Sequence, residues 1–107
     1  MTRKAIFITG AGSGIGQATA HYFAERGWFV GLADIQPQSL DTTIASLQVG
    51  QYSRHVMEVR DRDQWAIALR DFHSASGGQF DVLFNNAGIG TGGQFADMPA
   101  SEADRLI

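Results

Sequence analysis

The residues with the clearest chemical potential are four glycines packed into seven positions, in the run T-G-A-G-S-G-I-G from Thr9 to Gly16. They fit G-x-x-x-G-x-G through Gly10, Gly14 and Gly16. They do not fit the strict G-x-G-x-x-G, whose sixth place counted from Gly10 is taken by Ile15. The run follows a short apolar stretch and opens a helical pattern, so it lies where a strand turns into a helix. There Gly10 serves the tight turn, Gly14 lets a diphosphate approach the backbone, and Gly16 lets the helix pack closely on the strand. The unpaired N–H groups of the first helical turn, reinforced by the helix dipole, make an anion site, to which the Ser13 hydroxyl adds a donor. No G-K-[ST] ending follows, which excludes a nucleoside triphosphate loop of the Walker type. The plain alternative is a tight turn that binds nothing.

Two further groups belong with this loop. Asp34 closes the next apolar run, 18 residues beyond Gly16. A carboxylate at about 20 residues' distance is placed to accept hydrogen bonds from the hydroxyls of an adenosine ribose. The same charge repels a 2′-phosphate, and neither Ser13 nor Ile35 supplies a compensating base, so NAD is favoured over NADP. Asn85 to Gly88, N-N-A-G, follows a further apolar run in the same way. Taken singly, Asp34 reads equally as a helix cap or a solvated loop acid, and N-N-A-G as a polar turn.

The elements that must hold these groups follow from periodicity. Lys4–Thr9 reads as a buried strand, and Ile15, Ala18, Thr19, Tyr22 and Phe23 repeat at helical spacing up to a closing Gly27. Trp28–Asp34 is continuously apolar, as suits a strand covered on both faces. A helix starting at Pro37 carries Leu40, Ile44 and Leu47 and stops at Gly50. Arg54–Val59 is a weaker strand. Asp61 or Asp63 then caps a helix with Trp65, Leu69 and Phe72 on its inner face, broken by Gly77 and Gly78. Phe80–Phe84 is a fourth strand, and a last helix begins near Ser101. Strands alternating with helices imply an α/β architecture, a Rossmann-like doubly wound parallel sheet with right-handed crossovers. About four strands make that sheet incomplete, and residues 1–107 form a single NAD(P)-binding domain that supplies one half of the fold and the opening of the second.

Composition sets the outer bounds. Apolar residues make up 44% of the 107 and charged ones 18%, the range of a folded globular domain. Eight Lys and Arg against eleven Asp and Glu leave a net charge of -3, which argues against a nucleic-acid partner. No run approaches the roughly 20 apolar residues of a membrane span, and Ala5–Ile8 is too short for a secretory signal. The absence of cysteine excludes disulfides, thiolate metal sites and Cys nucleophiles, and points to a reducing, cytoplasmic setting. His55 and His73 lack partners at metal spacing, so no metal is expected. His21 reads as an ordinary helix residue and Trp28, Trp65 and Phe72 as core. Arg60, Arg62 and Arg70, alternating with Asp61, Asp63 and Asp71, read as a solvated face.

T-G-A-G-S-G-I-G, Asp34 and N-N-A-G together resemble the short-chain dehydrogenases/reductases, in the right order and over the whole chain. The resemblance implies that Gly10, Ser13, Gly14, Ile15 and Gly16 form the cofactor loop and that Asp34 is the NAD-selecting acid. It implies that Glu58 and Val59 stand where the family often has Asp-Val beside the adenine amino group, with Asp61 a nearby substitute. Asn86, Ala87 and Gly88 match the fourth-strand motif that lines the adenosine ribose and steadies the sheet, Asn86 being expected to hydrogen-bond toward the strand carrying Thr9.

The family's chemistry uses a Tyr with a Lys four residues later, a Ser and usually an Asn. Here Tyr22 and Tyr52 are followed at that distance by Arg26 and Val56, and the only lysine is Lys4. No catalytic residue is therefore expected. The chain reads as the cofactor-binding portion of an NAD-dependent short-chain oxidoreductase, inactive by itself. Its longer parent would move a hydride between nicotinamide and the carbon of a small alcohol or ketone. A half-sheet leaves the apolar fourth strand with an open edge, so the isolated 107 residues are expected to self-associate or partly unfold. For the parent a homo-oligomer is one open alternative. The alternative is a non-catalytic dinucleotide-binding module or an inactive fragment.

Overall fold

The computed structural model describes residues 3–87. The helix expected near Ser101, and Gly88 of the N-N-A-G motif, lie outside them. Seven elements follow in strict alternation: β1 (Ala5–Thr9), α1 (Gly14–Glu25), β2 (Phe29–Asp34), α2 (Pro37–Ile44), β3 (Tyr52–Val56), α3 (Arg62–Ala75) and β4 (Val82–Asn85). The strands pair in parallel in the order β3-β2-β1-β4. The chain thus works outward from β1 to β3, then returns to the other side of β1. The gap between β1 and β4, at the carboxyl ends of the strands, is the switch point of a doubly wound sheet.

Side chains alternate across the sheet and build a core on each face. On one face Phe7, Phe29 and Ala33 pack with Trp65, Ala68 and Phe72 of α3. On the other Ile6, Ile8, Val30 and Leu32 pack with Ala20 and Ala24 of α1 and Leu40 of α2. Phe72 is wholly buried and its ring lies over Gly31, where a Cβ would be closer than 3.0 Å. Burial of one such side chain is worth about 2–3 kcal/mol. α1 ends in a Schellman turn: Trp28 N–H donates to Phe23 O (3.1 Å), Gly27 N–H to Ala24 O (3.0 Å), and the Phe23 and Trp28 rings meet at 4.8 Å.

Three elements depart from the periodicity by two residues or more. β3 starts at Tyr52 and stops at Val56, three residues before the expected end. The backbone beyond it is claimed by α3: Gln64 Oε1 accepts from Glu58 N–H (2.7 Å) and Trp65 Nε1 donates to Val59 O (2.7 Å). α2 stops at Ile44 rather than near Gly50. There the i→i−4 pattern gives way to a tighter turn, Leu47 N–H donating to Ile44 O at 2.8 Å, and Ser46 Oγ lies 3.0 Å from His21 Nε2 of α1. β4 begins at Val82 because Asp81 replaces a ladder partner with its side chain, Oδ2 accepting from Ala5 N–H at 2.9 Å. On α3 the buried positions are Trp65, Ala68 and Phe72, with Leu69 only partly covered.

Candidate functional site

β1 delivers its carboxyl end into the glycine loop. Gly16, buried in the first turn of α1, packs on Gly10 so closely that a Cβ would stand inside 3.0 Å of the Gly10 carbonyl and of Asn86 Nδ2. That approach brings the end of α1 onto β1. Gly14 has φ +58°, which L side chains rarely adopt, and faces open space. Ser13 is the N-cap, in extended backbone and with no side-chain capping bond. The first bond across the turn is Gln17 N–H to Ser13 O (3.3 Å). The amides of Gly14, Ile15 and Gly16 thus head α1 without intrahelical acceptors, the requirement for an anion seat. Ile15 is itself exposed.

The loop's first half is tied to the neighbouring strand and helix. Ala11 N–H donates to Ala33 O at 3.0 Å. Its carbonyl accepts from the hydroxyl of Thr43, a wholly buried side chain, at 2.8 Å. Thr43 Oγ1 in turn accepts from Gln17 Nε2 at 3.1 Å, so α1, α2 and the loop share one chain of hydrogen bonds.

Asp34 ends β2 beside this loop. Its Oδ2 accepts from Gly12 N–H at 3.0 Å and its Oδ1 from Gln36 N–H at 2.9 Å. A carboxylate offers about four lone-pair positions, so each oxygen keeps capacity for a further donor such as a sugar hydroxyl. From the other side of β1 come Asn85, Asn86 and Ala87. Thr9 Oγ1 donates to Asn85 Oδ1 (2.8 Å) and accepts from Ala87 N–H (3.1 Å), while Asn86 Nδ2 donates to Gly10 O (3.3 Å). The residue expected to reach the first strand therefore bonds one position beyond Thr9, and Asn85 makes the bond to Thr9 itself.

Glu58 and Val59 sit in the β3–α3 loop at the same end of the sheet, one and two residues past Met57, whose N–H donates to Asp34 O (3.0 Å). The Glu58 carboxylate is paired with Arg60. Asp61 is occupied as the N-cap of α3, its Oδ1 accepting from Asp63 and Gln64 N–H at 3.0 and 3.1 Å. Among the described residues, the two groups pushed off their ordinary titration ranges stand apart from the loop. His55 is lowered to about 4, first by burial, with Asp71 opposing. Asp81 is lowered by the Ala5 amide, then by Gln79.

Sequence reasoning passed over Gly12, Ser39 and Thr43. Gly12 falls at a free position of G-x-x-x-G-x-G. Thr43, three residues after Leu40, is a polar side chain on the apolar face of α2, and that mismatch was its signal.

Among the described residues no helix is long and apolar enough to cross a membrane. The family model described as short chain dehydrogenase matches residues 4–107. Over 104 residues the chain is 38% identical to a probable oxidoreductase, EphD, of Mycobacterium tuberculosis, covering 95% of this chain and 17% of that protein. A short chain dehydrogenase from Bacillus anthracis superposes with a TM-score of 0.74 at 29% identity, over 78% of this chain and 34% of that one. One from Mycobacterium paratuberculosis, bound to NAD, gives 0.71 at 27% identity, over 79% and 36%. The chain thus spans about a sixth of the curated relative and about a third of the two solved chains. With a matching sequence pattern along nearly its whole length, and a parallel sheet that carries the glycine loop at its switch point, the chain belongs to the short-chain dehydrogenase family.

Proposed function

We propose that the chain is the cofactor-binding half of an NAD-dependent short-chain oxidoreductase. The observation that carries this reading is the Asp34 carboxylate, held against the glycine loop by Gly12 N–H at 3.0 Å. The amides of Gly14, Ile15 and Gly16, with the Ser13 hydroxyl, would seat the pyrophosphate, and Gly10 shapes the turn beneath it. Asp34 would accept from the adenosine ribose and oppose a 2′-phosphate. Glu58 and Val59 would border the adenine, and Asn86, Ala87 and Gly88 the ribose. A nicotinamide dinucleotide supplies the hydride acceptor or donor; these residues bind and orient it.

No Tyr-x-x-x-Lys occurs in the 107 residues. We therefore place the acid–base chemistry in a further part of the protein, and the hydride's partner there is the carbon of a small alcohol or ketone. The 107 residues alone would be inactive. The protein would work in the cytoplasm, with a homo-oligomer as one open assembly. Support for NAD comes also from the Mycobacterium paratuberculosis relative, whose structure holds NAD.

The test is calorimetric titration of the full-length protein with NAD and with NADP. Tighter binding of NAD in the wild type, with the preference lost in Asp34→Ala, is the expected result. Equal or tighter binding of NADP by the wild type refutes the assignment.

A further inference from the structure

We propose that Gly12 is a positioning residue that sets coenzyme choice, by holding the Asp34 carboxylate in the orientation that favours NAD over NADP. The proposal rests on the reading of Asp34 given above and extends it to a residue that G-x-x-x-G-x-G leaves free.

Gly12 acts twice. Its N–H donates to Asp34 Oδ2 at 3.0 Å, while Gln36 N–H holds Oδ1 at 2.9 Å, so the carboxylate is clamped at both oxygens by backbone. Its missing side chain makes the approach possible. A Cβ there would be closer than 3.0 Å to Ser39 Cβ, 3.0 Å from the Ser39 carbonyl carbon and 2.9 Å from Asp34 Oδ2. Gly12 is not among the positive-φ glycines, so close approach and not backbone conformation is what demands glycine.

The loop has no room to retreat. Ala11, the preceding residue, is bonded through its N–H to Ala33 O at 3.0 Å and through its carbonyl to Thr43 Oγ1 at 2.8 Å. A methyl group at position 12 must therefore displace what it meets: the first turn of α2 at Ser39, and the Asp34 carboxylate. The first displacement costs stability. The second removes an aimed acceptor from the ribose and a fixed negative charge from the 2′ position, which weakens NAD and relieves NADP. A purely structural lesion of the loop would weaken both coenzymes alike, because they share the pyrophosphate.

The experiment titrates the full-length protein calorimetrically with NAD and NADP as wild type, Gly12→Ala, Asp34→Ala and Gly12→Ala/Ser39→Gly, with thermal melts of each. Gly12→Ala is expected to move the NAD-to-NADP affinity ratio toward NADP by about tenfold or more, in the same direction as Asp34→Ala. Adding Ser39→Gly removes the tightest contact with α2, that with the Ser39 Cβ, and keeps the 3.0 Å approach to its carbonyl carbon. It is therefore expected to recover part of the thermal stability while the ratio stays shifted, because the contact with Asp34 remains. If Gly12→Ala does not fold, the double variant carries the test. A ratio within about twofold of wild type in the folded Gly12 variant, beside a shifted Asp34→Ala, overturns the role of Gly12. An unshifted Asp34→Ala overturns the reading of Asp34 and this proposal with it.

Discussion

Gly16 lies against the carbonyl of Gly10 with no space for a side chain between them, and Asn86 Nδ2 closes the same contact from the residue that follows β4. The first turn of α1, the end of β1 and the strand beyond the switch point therefore meet at one glycine. Gly16→Ala must push backbone against backbone, an overpacking cost of about 2–3 kcal/mol. Gly14→Ala meets no neighbour and costs only its left-handed backbone, about 1 kcal/mol. Urea denaturation of the two variants is expected to place Gly16→Ala clearly below Gly14→Ala. The reverse order would show that the close approach is not what requires glycine at position 16.

Thr43 gives a test of how the loop is held. Thr43→Val keeps shape but leaves the Ala11 carbonyl and Gln17 Nε2 without their buried partner. The expected loss is about 1–3 kcal/mol, with weaker binding of NAD and NADP in equal proportion. Thr43→Ser keeps the hydroxyl and is expected to retain binding. Chemical denaturation and calorimetry of the pair check this, and identical behaviour of Val and Ser would remove the hydroxyl from the account.

The coenzyme preference can be moved by changing the charge at the end of β2. Asp34→Ala with Ile35→Arg removes the repelling carboxylate and supplies a base beside the exposed position 35. The full-length double variant is expected to favour NADP, read as the ratio of kcat/KM with the two coenzymes. Unchanged ratios would count against the role given to Asp34.

His55 sets a pH dependence of stability. Its ring is buried on the β3 side of Phe7, centroids 5.4 Å apart, and its Nε2 lies 2.7 Å from Ser53 Oγ. Burial lowers it from 6.5 to about 4, so between these values the unfolded chain binds the proton and the folded chain does not. Its contribution is complete above pH 6.5 and is lost as pH falls toward 4, by about 3 kcal/mol in all. His55→Gln removes this titration. The difference in urea midpoint between wild type and His55→Gln is expected to shrink or reverse from pH 7.5 to pH 5, and a constant difference would exclude His55 as the source.

Much of this was legible because glycine and continuous apolar runs are local signals. Thr9 to Gly16 announces a strand-to-helix turn by composition alone, and Trp28–Asp34 announces a covered strand. The boundaries that moved were decided by side chains distant in sequence or by competing local bonds. Trp65 and Gln64 capture the backbone of Glu58 and Val59 and end β3 early, the Leu47–Ile44 turn closes α2, and Asp81 delays β4. Periodicity carries no information about such bonds. In the candidate site, the residues with recognisable spacing were visible: Gly10, Gly14, Gly16 and Asp34. Gly12 and Thr43 were not, since their importance comes from contacts with Ser39, Asp34 and Ala11 that exist only once β1, β2 and α2 are assembled.

The most direct measurement is a crystal structure of the full-length protein soaked with NAD. The account expects the pyrophosphate on the amides of Gly14, Ile15 and Gly16 and both adenosine ribose hydroxyls within hydrogen-bond reach of Asp34. A dinucleotide bound with its pyrophosphate elsewhere, or with Asp34 turned away from the ribose, would contradict it.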